Sequence, residues 1–129
     1  VTVLTSLDET DLAAAGIKDS VSEHALRLAK IAFEAGIRTF VCSPKEAKAM
    51  RAALGHDATL ITPGVRPKAA ASRNTAEKTA KADDQKRIAS AYDAIHDGAD
   101  YVVVGRPIRD AEDPAAAVSA LAHEIEAAL

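Results

Sequence analysis

Gly105 and Arg106 are the residues of this 129-residue chain best suited to hold an anion. They follow a Tyr-Val-Val-Val run at 101–104, which is typical of a strand buried on both faces of a parallel sheet. Glycine lets a ligand approach the backbone closely, and arginine offers a planar fork of N–H donors that matches a phosphate. These residues predict a phosphate site, but a buried strand followed by a chance turn would look the same.

Two further candidate residues, Thr5 and Pro63, stand where predicted strands end. Thr5 ends the apolar run at 1–5, and Pro63 ends the run at 59–62. Ligands of α/β proteins bind at the carboxyl ends of strands, and parallel strands place those ends at one edge of the sheet. We therefore expect Thr5, Pro63, Gly105 and Arg106 to lie along one edge.

The elements that would position these residues alternate along the chain. Strands are predicted at 1–5, 39–42, 59–62 and 101–104, and capped amphipathic helices at 9–15, 21–36, 44–54, 91–98 and from 114 to the end. Four strand–helix units in sequence imply an α/β fold with a parallel sheet and right-handed crossovers. The chain length fits a single domain, 1–129.

A long basic segment separates the third strand from the helix after Ser90. Residues 66–87 hold seven basic and three acidic residues and show no apolar periodicity. A connection of this length is uncommon unless it is functional or disordered. We predict a mobile lid at about 66–84 that closes on an anionic ligand, flanked by Arg66 and Gln85. A solvated surface loop is the alternative.

Composition excludes several classes of partner and site. The net charge of −3 gives no reason to expect nucleic acid or an anionic membrane as a partner. A single cysteine fits a reducing compartment, and neither a transmembrane run nor a signal peptide pattern is present, so we expect a cytoplasmic protein. The four histidines lack metal-ligand spacing, and no metal site is predicted.

Five motifs resemble bacterial orotidine 5′-phosphate decarboxylase, in that family's order along nearly the whole chain. They are TVLTS at 2–6, VCSPKEA at 41–47, ITPGVRP at 61–67, DDQKR at 83–87 and GADYVVVGRPI at 98–108. The resemblance implies a (β/α)8 TIM barrel, a homodimer, and conversion of orotidine 5′-phosphate to UMP and CO2 in pyrimidine biosynthesis without a cofactor. This chain would be its C-terminal half, a half barrel of strands five to eight.

The resemblance also implies substrate-binding roles for six residues. Arg106 and the Gly105 N–H would hold the 5′-phosphate, and Arg66 would bind from the loop after strand seven. Gln85 would bridge the phosphate and the pyrimidine side. Thr5 would hydrogen-bond the pyrimidine ring, and Pro63 would line the base pocket.

The chain departs from the family by lacking an Asp-x-Lys-x-x-Asp sequence. The family's catalytic lysine and aspartates come from earlier strands, so no catalytic residue is expected in this segment and the 129 residues alone should be inactive. The missing N-terminal half or a second copy would have to cover the strands' inner faces. The alternative is a non-catalytic phosphate-binding or self-assembling half barrel. A related activity on a pentulose or hexulose phosphate is disfavoured, because it would not require Thr5 and Arg66 together.

Overall fold

The computed structural model describes residues 1–67 and 87–129, which form a parallel three-stranded sheet with helices packed against one face. The strands are β1 (Thr39–Val41), β2 (Thr59–Pro63) and β3 (Tyr101–Val103), in the order β1-β2-β3. Val41 is the partner of Ile61, and Pro63 is the partner of Val103. The carboxyl ends of β2 and β3 therefore lie side by side.

Helices precede, connect and follow these strands within the described residues. They are α1 (Glu9–Ala14), α2 (Val21–Glu34), α3 (Pro44–Leu54), α4 (Ala91–His96), α5 (Arg106–Arg109) and α6 (Pro114–Glu126). In the described part of the chain, no helix combines the length and apolar character needed to cross a membrane. The α/β fold class predicted from the sequence is confirmed.

The predicted helix starts are confirmed because their signals are local. The hydroxyls of Ser20 and Ser43 each accept a hydrogen bond from a backbone N–H of the first turn. The side chains of Glu23 and Glu46 in turn accept a hydrogen bond from the backbone N–H of the cap residue. Pro44 occupies the first helical position of α3. The hydroxyl of Ser90 accepts a hydrogen bond from the backbone N–H of Asp93 at 3.0 Å.

The core divides into two clusters on the helical face of the sheet. One joins α1, α2 and α3 to β1 and β2 through residues such as Met50 and Leu60, both fully buried. The other packs α4 and α6 around Val65 and Leu121. Alanines at the helix contacts bring the helices close, in keeping with the low aromatic content.

Residues 1–5 were predicted as a strand, and that prediction is wrong for the described structure. This segment lies beside the end of β1, where the Thr2 N–H donates to the Val41 carbonyl at 3.0 Å. A strand requires a continuing ladder with its neighbour, and no such ladder is assigned to residues 1–5. The described residues therefore contain three strands in place of the predicted four.

Burial of β3 on both faces was also predicted, and that is wrong. Tyr101 is 62% exposed and Val103 is 50% exposed, because in the described structure the helices cover only one face of the sheet. On α6, Val118 and Ala122 are exposed. Leu121 is the residue of that helix that is buried.

Candidate functional site

Two arginines meet at an open pocket beside the carboxyl ends of β2 and β3. The pocket has a volume of about 360 Å³. Its lining residues come from the segment after β2 and from α5: Arg66, Pro67, Arg106, Pro107, Asp110 and Ala111. Both Arg66 and Arg106 are half-buried. The arrangement places two guanidinium groups where a parallel sheet usually holds its ligand.

Backbone contacts fix Arg66 on its side of the pocket. β2 ends at Pro63, and Gly64 turns the chain with a φ of 85°. Val65 is fully buried and pairs in parallel with Ala89. The Arg66 N–H donates to the Ala89 carbonyl at 2.9 Å. The side chain of Arg66 therefore starts from an anchored backbone position.

The short helix α5 places Arg106 on the other side. Val103 ends β3, and Gly105 is the N-cap residue of α5 with Pro107 in its first turn. One turn later the Asp110 N–H donates to the Arg106 carbonyl at 2.9 Å, so Asp110 also faces the pocket. No helix had been predicted from the sequence between residues 104 and 114, so α5 is new in the structure.

The charge around the pocket is net positive. Arg109 donates to the Asp110 carboxylate at 2.6 Å and 2.9 Å. This pair of hydrogen bonds is the main cause that raises the pKa of Arg109 above its ordinary value. Arg66 and Arg106 thus supply two guanidinium groups to the lining, and such groups bind an anionic ligand through several N–H donors at once.

Gly105 has no steric reason within the described structure to be glycine. Its φ is −105°, which other residues adopt, and a Cβ built there would meet no atom within 4 Å. Gly98 is the opposite case, since its φ is 102° and a Cβ would lie 2.9 Å from Cγ of Arg51. Gly105 directly precedes Arg106 in the chain but is not among the residues that line the pocket.

The remaining predicted site residues lie away from this pocket or outside the described residues. Pro63 is half-buried at the end of β2, on the same edge of the sheet but not among the lining residues. Thr5 is buried beyond the far side of β1. Gln85 and the predicted lid, apart from Arg66 and Pro67, fall outside the described residues.

Sequence reasoning missed a buried ion pair between Glu46 and Arg87. Nη1 of Arg87 contacts Oε1 of Glu46, and the side chains are 11% and 2% exposed, respectively. Burial lowers the pKa of Arg87 below its ordinary value, and the negative charge of Glu9 opposes that shift. Glu46 stands in the motif VCSPKEA and Arg87 in DDQKR, but the two residues are 41 positions apart, so the sequence alone gives no sign that they pair.

Within the residues that the structure describes, no group of three or more His, Cys, Asp or Glu side chains is placed to hold a metal ion. Cys42 is buried at the end of β1, and burial raises the pKa of its thiol to about 11. A thiol in that state is protonated at neutral pH. Cys42 therefore behaves as a core residue, as the sequence predicted.

Comparisons with known proteins point to one family. The model of the orotidine 5′-phosphate decarboxylase / HUMPS family matches residues 1–121. Orotidine 5′-phosphate decarboxylase of Thermobifida fusca is 50% identical over 126 residues, which cover 98% of this chain and 50% of that protein. The Trichlorobacter lovleyi enzyme of the same name is 46% identical over 127 residues, with 98% and 48% covered.

Solved structures agree with the sequence comparisons. Orotidine 5′-phosphate decarboxylase from Lactobacillus acidophilus superposes with a TM-score of 0.70 at 32% identity, covering 96% of this chain and 46% of that one. The Pyrococcus horikoshii enzyme superposes with a TM-score of 0.57 at 24% identity, which shows the fold alone. The chain spans about half the length of the curated relatives it matches.

Proposed function

The chain belongs to the orotidine 5′-phosphate decarboxylase / HUMPS family, and we propose that it is the substrate-binding C-terminal half of an orotidine 5′-phosphate decarboxylase. The complete enzyme would convert orotidine 5′-phosphate to UMP and CO2 in cytoplasmic pyrimidine biosynthesis. The resemblance seen in the sequence is confirmed by relatives that are 46–50% identical over nearly the whole chain. Activity, substrate and partners remain proposals because the match covers half of those relatives.

The observation that carries this proposal is the pairing of Arg66 and Arg106 across one pocket at the strand ends. A phosphate monoester carries nearly two negative charges at neutral pH, and arginine forks bind its oxygens in a bidentate manner. The lining of the pocket carries one carboxylate, Asp110, which accepts two hydrogen bonds from Arg109. We assign the 5′-phosphate to this pocket.

Gly105 supports the same assignment. A Cβ built at Gly105 would meet no atom of the described residues within 4 Å, so the space beside its backbone is open. A ligand oxygen that approaches the backbone would require a glycine, because a Cβ would occupy that space. We propose that the backbone N–H of Gly105 binds the phosphate together with Arg106.

The pyrimidine would extend from the phosphate pocket along the carboxyl-end edge of the sheet. Pro63 lies on that edge between the pocket and β1, and would line the base pocket. The buried hydroxyl of Thr5, beyond β1, would hydrogen-bond the ring. Gln85 would bridge phosphate and pyrimidine. These three roles follow from the family resemblance.

The chemical step needs groups that these 129 residues do not supply. Decarboxylation breaks the bond between a pyrimidine ring carbon and its carboxylate carbon, and leaves the electron pair on the ring. An ammonium group must then donate a proton to that carbon. The family's Asp-x-Lys-x-x-Asp sequence is absent from this chain. We propose that an N-terminal half barrel supplies it, in a homodimer, and that the 129 residues alone are inactive.

A non-catalytic phosphate-binding or self-assembling half barrel is the second candidate. The open apolar face of the sheet favours it, since Tyr101 and Val103 are at least half exposed. Such a face needs cover of some kind, and another copy of the same chain would supply it.

Complementation separates the two functions. The chain is titrated with UMP by calorimetry, and orotidine 5′-phosphate absorbance is followed with and without the N-terminal half of the Thermobifida fusca relative. UMP binding alone, followed by turnover when that half is added, supports the decarboxylase. Binding with no turnover in either case supports the second candidate, and turnover by the isolated chain contradicts both. Absence of UMP binding under all conditions removes the phosphate pocket from the proposal.

A further inference from the structure

We propose that Arg87 is a positioning residue that holds the segments bearing Thr5 and Arg66 in register for the same ligand. The inference rests on the proposed function, because it concerns two side chains assigned there to the substrate. It adds a residue that contacts neither phosphate nor pyrimidine. Its basis is the set of contacts that Arg87 makes with three separate parts of the chain.

The guanidinium of Arg87 fixes the backbone immediately before Thr5. Its Nη2 donates to the carbonyl of Val3 at 3.1 Å and to that of Leu4 at 2.9 Å. Residues 1–5 lack a strand ladder, and their other backbone bond to the sheet runs from Thr2 to Val41. The two carbonyl contacts therefore attach the backbone directly before Thr5 to Arg87.

Glu46 holds the guanidinium in place from the other side. Its Oε1 contacts Nη1 of Arg87, while its Oε2 accepts a hydrogen bond from the backbone N–H of Ser43 at 3.0 Å. The hydroxyl of Ser43 in turn donates to the Arg87 carbonyl at 3.3 Å. Arg87 is thereby attached to the start of α3 through both its side chain and its backbone.

Two residues further on, the same short segment fixes Arg66. The Ala89 carbonyl accepts the Arg66 N–H at 2.9 Å, and Ala89 pairs with Val65. Residues 87–89 thus connect the Thr5 segment, the start of α3 and the loop after β2. A shift at Arg87 would move Thr5 relative to Arg66, and small misplacements of binding groups are costly.

The contacts require an arginine and not merely a positive charge. One fork serves two carbonyls and one carboxylate, whereas a lysine ammonium is a single point and cannot span them. Arg87→Lys should keep a cation for Glu46 while losing the contacts to Val3 and Leu4. It therefore separates the ion pair from the positioning of Thr5.

Arg51 offers a matched control at the opposite end of the strands. It is similarly buried, with a side chain 14% exposed, and it donates to the carbonyls of Gly55, Ala58 and Gly98. These acceptors precede β2 and β3, far from the carboxyl-end pocket in the chain's topology. Arg51→Lys should lower stability without changing a ligand's affinity.

The test compares UMP dissociation constants, urea midpoints and amide exchange for the wild type, Arg87→Lys and Arg51→Lys. We expect Arg87→Lys to raise the UMP dissociation constant roughly tenfold or more, and Arg51→Lys to leave it unchanged at a similar loss of stability. The amides of Leu4, Thr5 and Arg66 should exchange faster in Arg87→Lys alone. Equal affinity losses in both variants, or none in Arg87→Lys, would overturn the positioning role.

A double variant and amide exchange test the proposal if Arg87→Lys does not fold or if the wild type binds no UMP. If Arg87→Lys does not fold, the double variant Glu46→Met/Arg87→Met removes both buried charges together, which is often tolerated. That variant must still bind UMP more weakly than Arg51→Lys does. If the wild type binds no UMP, the proposed function fails, and amide exchange alone decides the positioning: unchanged exchange at Leu4, Thr5 and Arg66 refutes it.

Discussion

Arg106 illustrates how much a single side chain contributes when its charge lies at a pocket edge and is half-buried. It starts from the first turn of α5 and shares the pocket with Arg66. A charge pair formed there with phosphate would be partly removed from water, and electrostatic attraction is screened less outside water. The same residue on an exposed surface would contribute little.

Arg106→Ala should weaken UMP binding by about 2–5 kcal/mol, because it leaves a phosphate charge without its partner. Calorimetric titration at low and high salt measures the loss. Arg27→Ala is the matched control, since it removes the same charge from α2, outside the pocket lining. An affinity for UMP equal to that of the wild type would exclude Arg106 from the site.

Cys42 gives the stability of the chain a predictable pH dependence. Burial raises the pKa of its thiol from 9.0 to about 11, against the opposing effect of the positive charges on Arg87 and Arg51. The unfolded thiol loses its proton at lower pH than the folded one. Its contribution to stability is therefore complete below about pH 9 and is lost as pH rises toward 11.

Urea unfolding at pH 8 and pH 10.5 measures this effect. The free energy of unfolding should fall by up to about 2 kcal/mol more in the wild type than in Cys42→Ala. Comparison with Cys42→Ala subtracts the other groups that titrate in this range. Identical pH dependence in the two proteins would show that the thiol is not desolvated.

At the scale of elements, helix starts could be predicted from neighbouring residues, whereas strand pairing between distant segments could not. Ser20 and Ser43 predict the starts of their helices, because each cap residue is followed three residues later by the glutamate that completes the capping box. The strand status of residues 1–5 depends on a ladder with β1, which an apolar run cannot establish alone. The helix α5 was missed because four residues are too few to show a period.

The candidate site divides in the same way. Arg66 and Arg106 could be proposed because each follows a strand in a recognisable motif. Asp110 joins them through the turn of α5, and Arg87 reaches Glu46 across 41 positions. The position of Asp110 and the contact between Arg87 and Glu46 result from how the elements pack, and the spacing of residues in a motif does not reveal packing.

Arg51 stabilises the amino-terminal edge of the sheet by joining three elements. Besides its carbonyl acceptors, it donates to the carboxylate of Asp100 at 2.6 Å, and that carboxylate accepts the Leu60 N–H at 2.6 Å. Gly98 allows this contact, because any Cβ there would collide with Arg51. Arg51 therefore ties the end of α3 to the starts of β2 and β3.

Arg51→Met should lower the free energy of unfolding by about 2–3 kcal/mol, since the part-buried carbonyls of Ala58 and Gly98 lose a charged donor. Far-UV circular dichroism in urea is the suitable measurement, because the chain has no tryptophan. The midpoint should fall with the slope unchanged. Arg38→Met, on an exposed arginine that donates to Phe33 and Ile37 near the end of α2, should cost far less.

At the scale of the whole molecule, the sheet has one covered face and one open face. Phe40, Leu60 and Thr62 point toward the helices and are buried. By strand alternation and register, the open face carries Thr39, Val41, Thr59, Ile61, Pro63, Tyr101 and Val103, all half-buried or exposed. Parallel sheets are almost always covered on both faces.

We therefore expect the isolated chain to self-associate through this open face. Sedimentation velocity over a range of concentrations should show species larger than a monomer, because exposed apolar patches drive association. Val103→Lys should shift the distribution toward monomer, since each contact would then desolvate an ammonium group. Val118→Lys is the matched control: Val118 is 48% exposed against 50% for Val103, but lies on α6. If both variants reduce association equally, added charge alone is the cause, and the open face is not the contact.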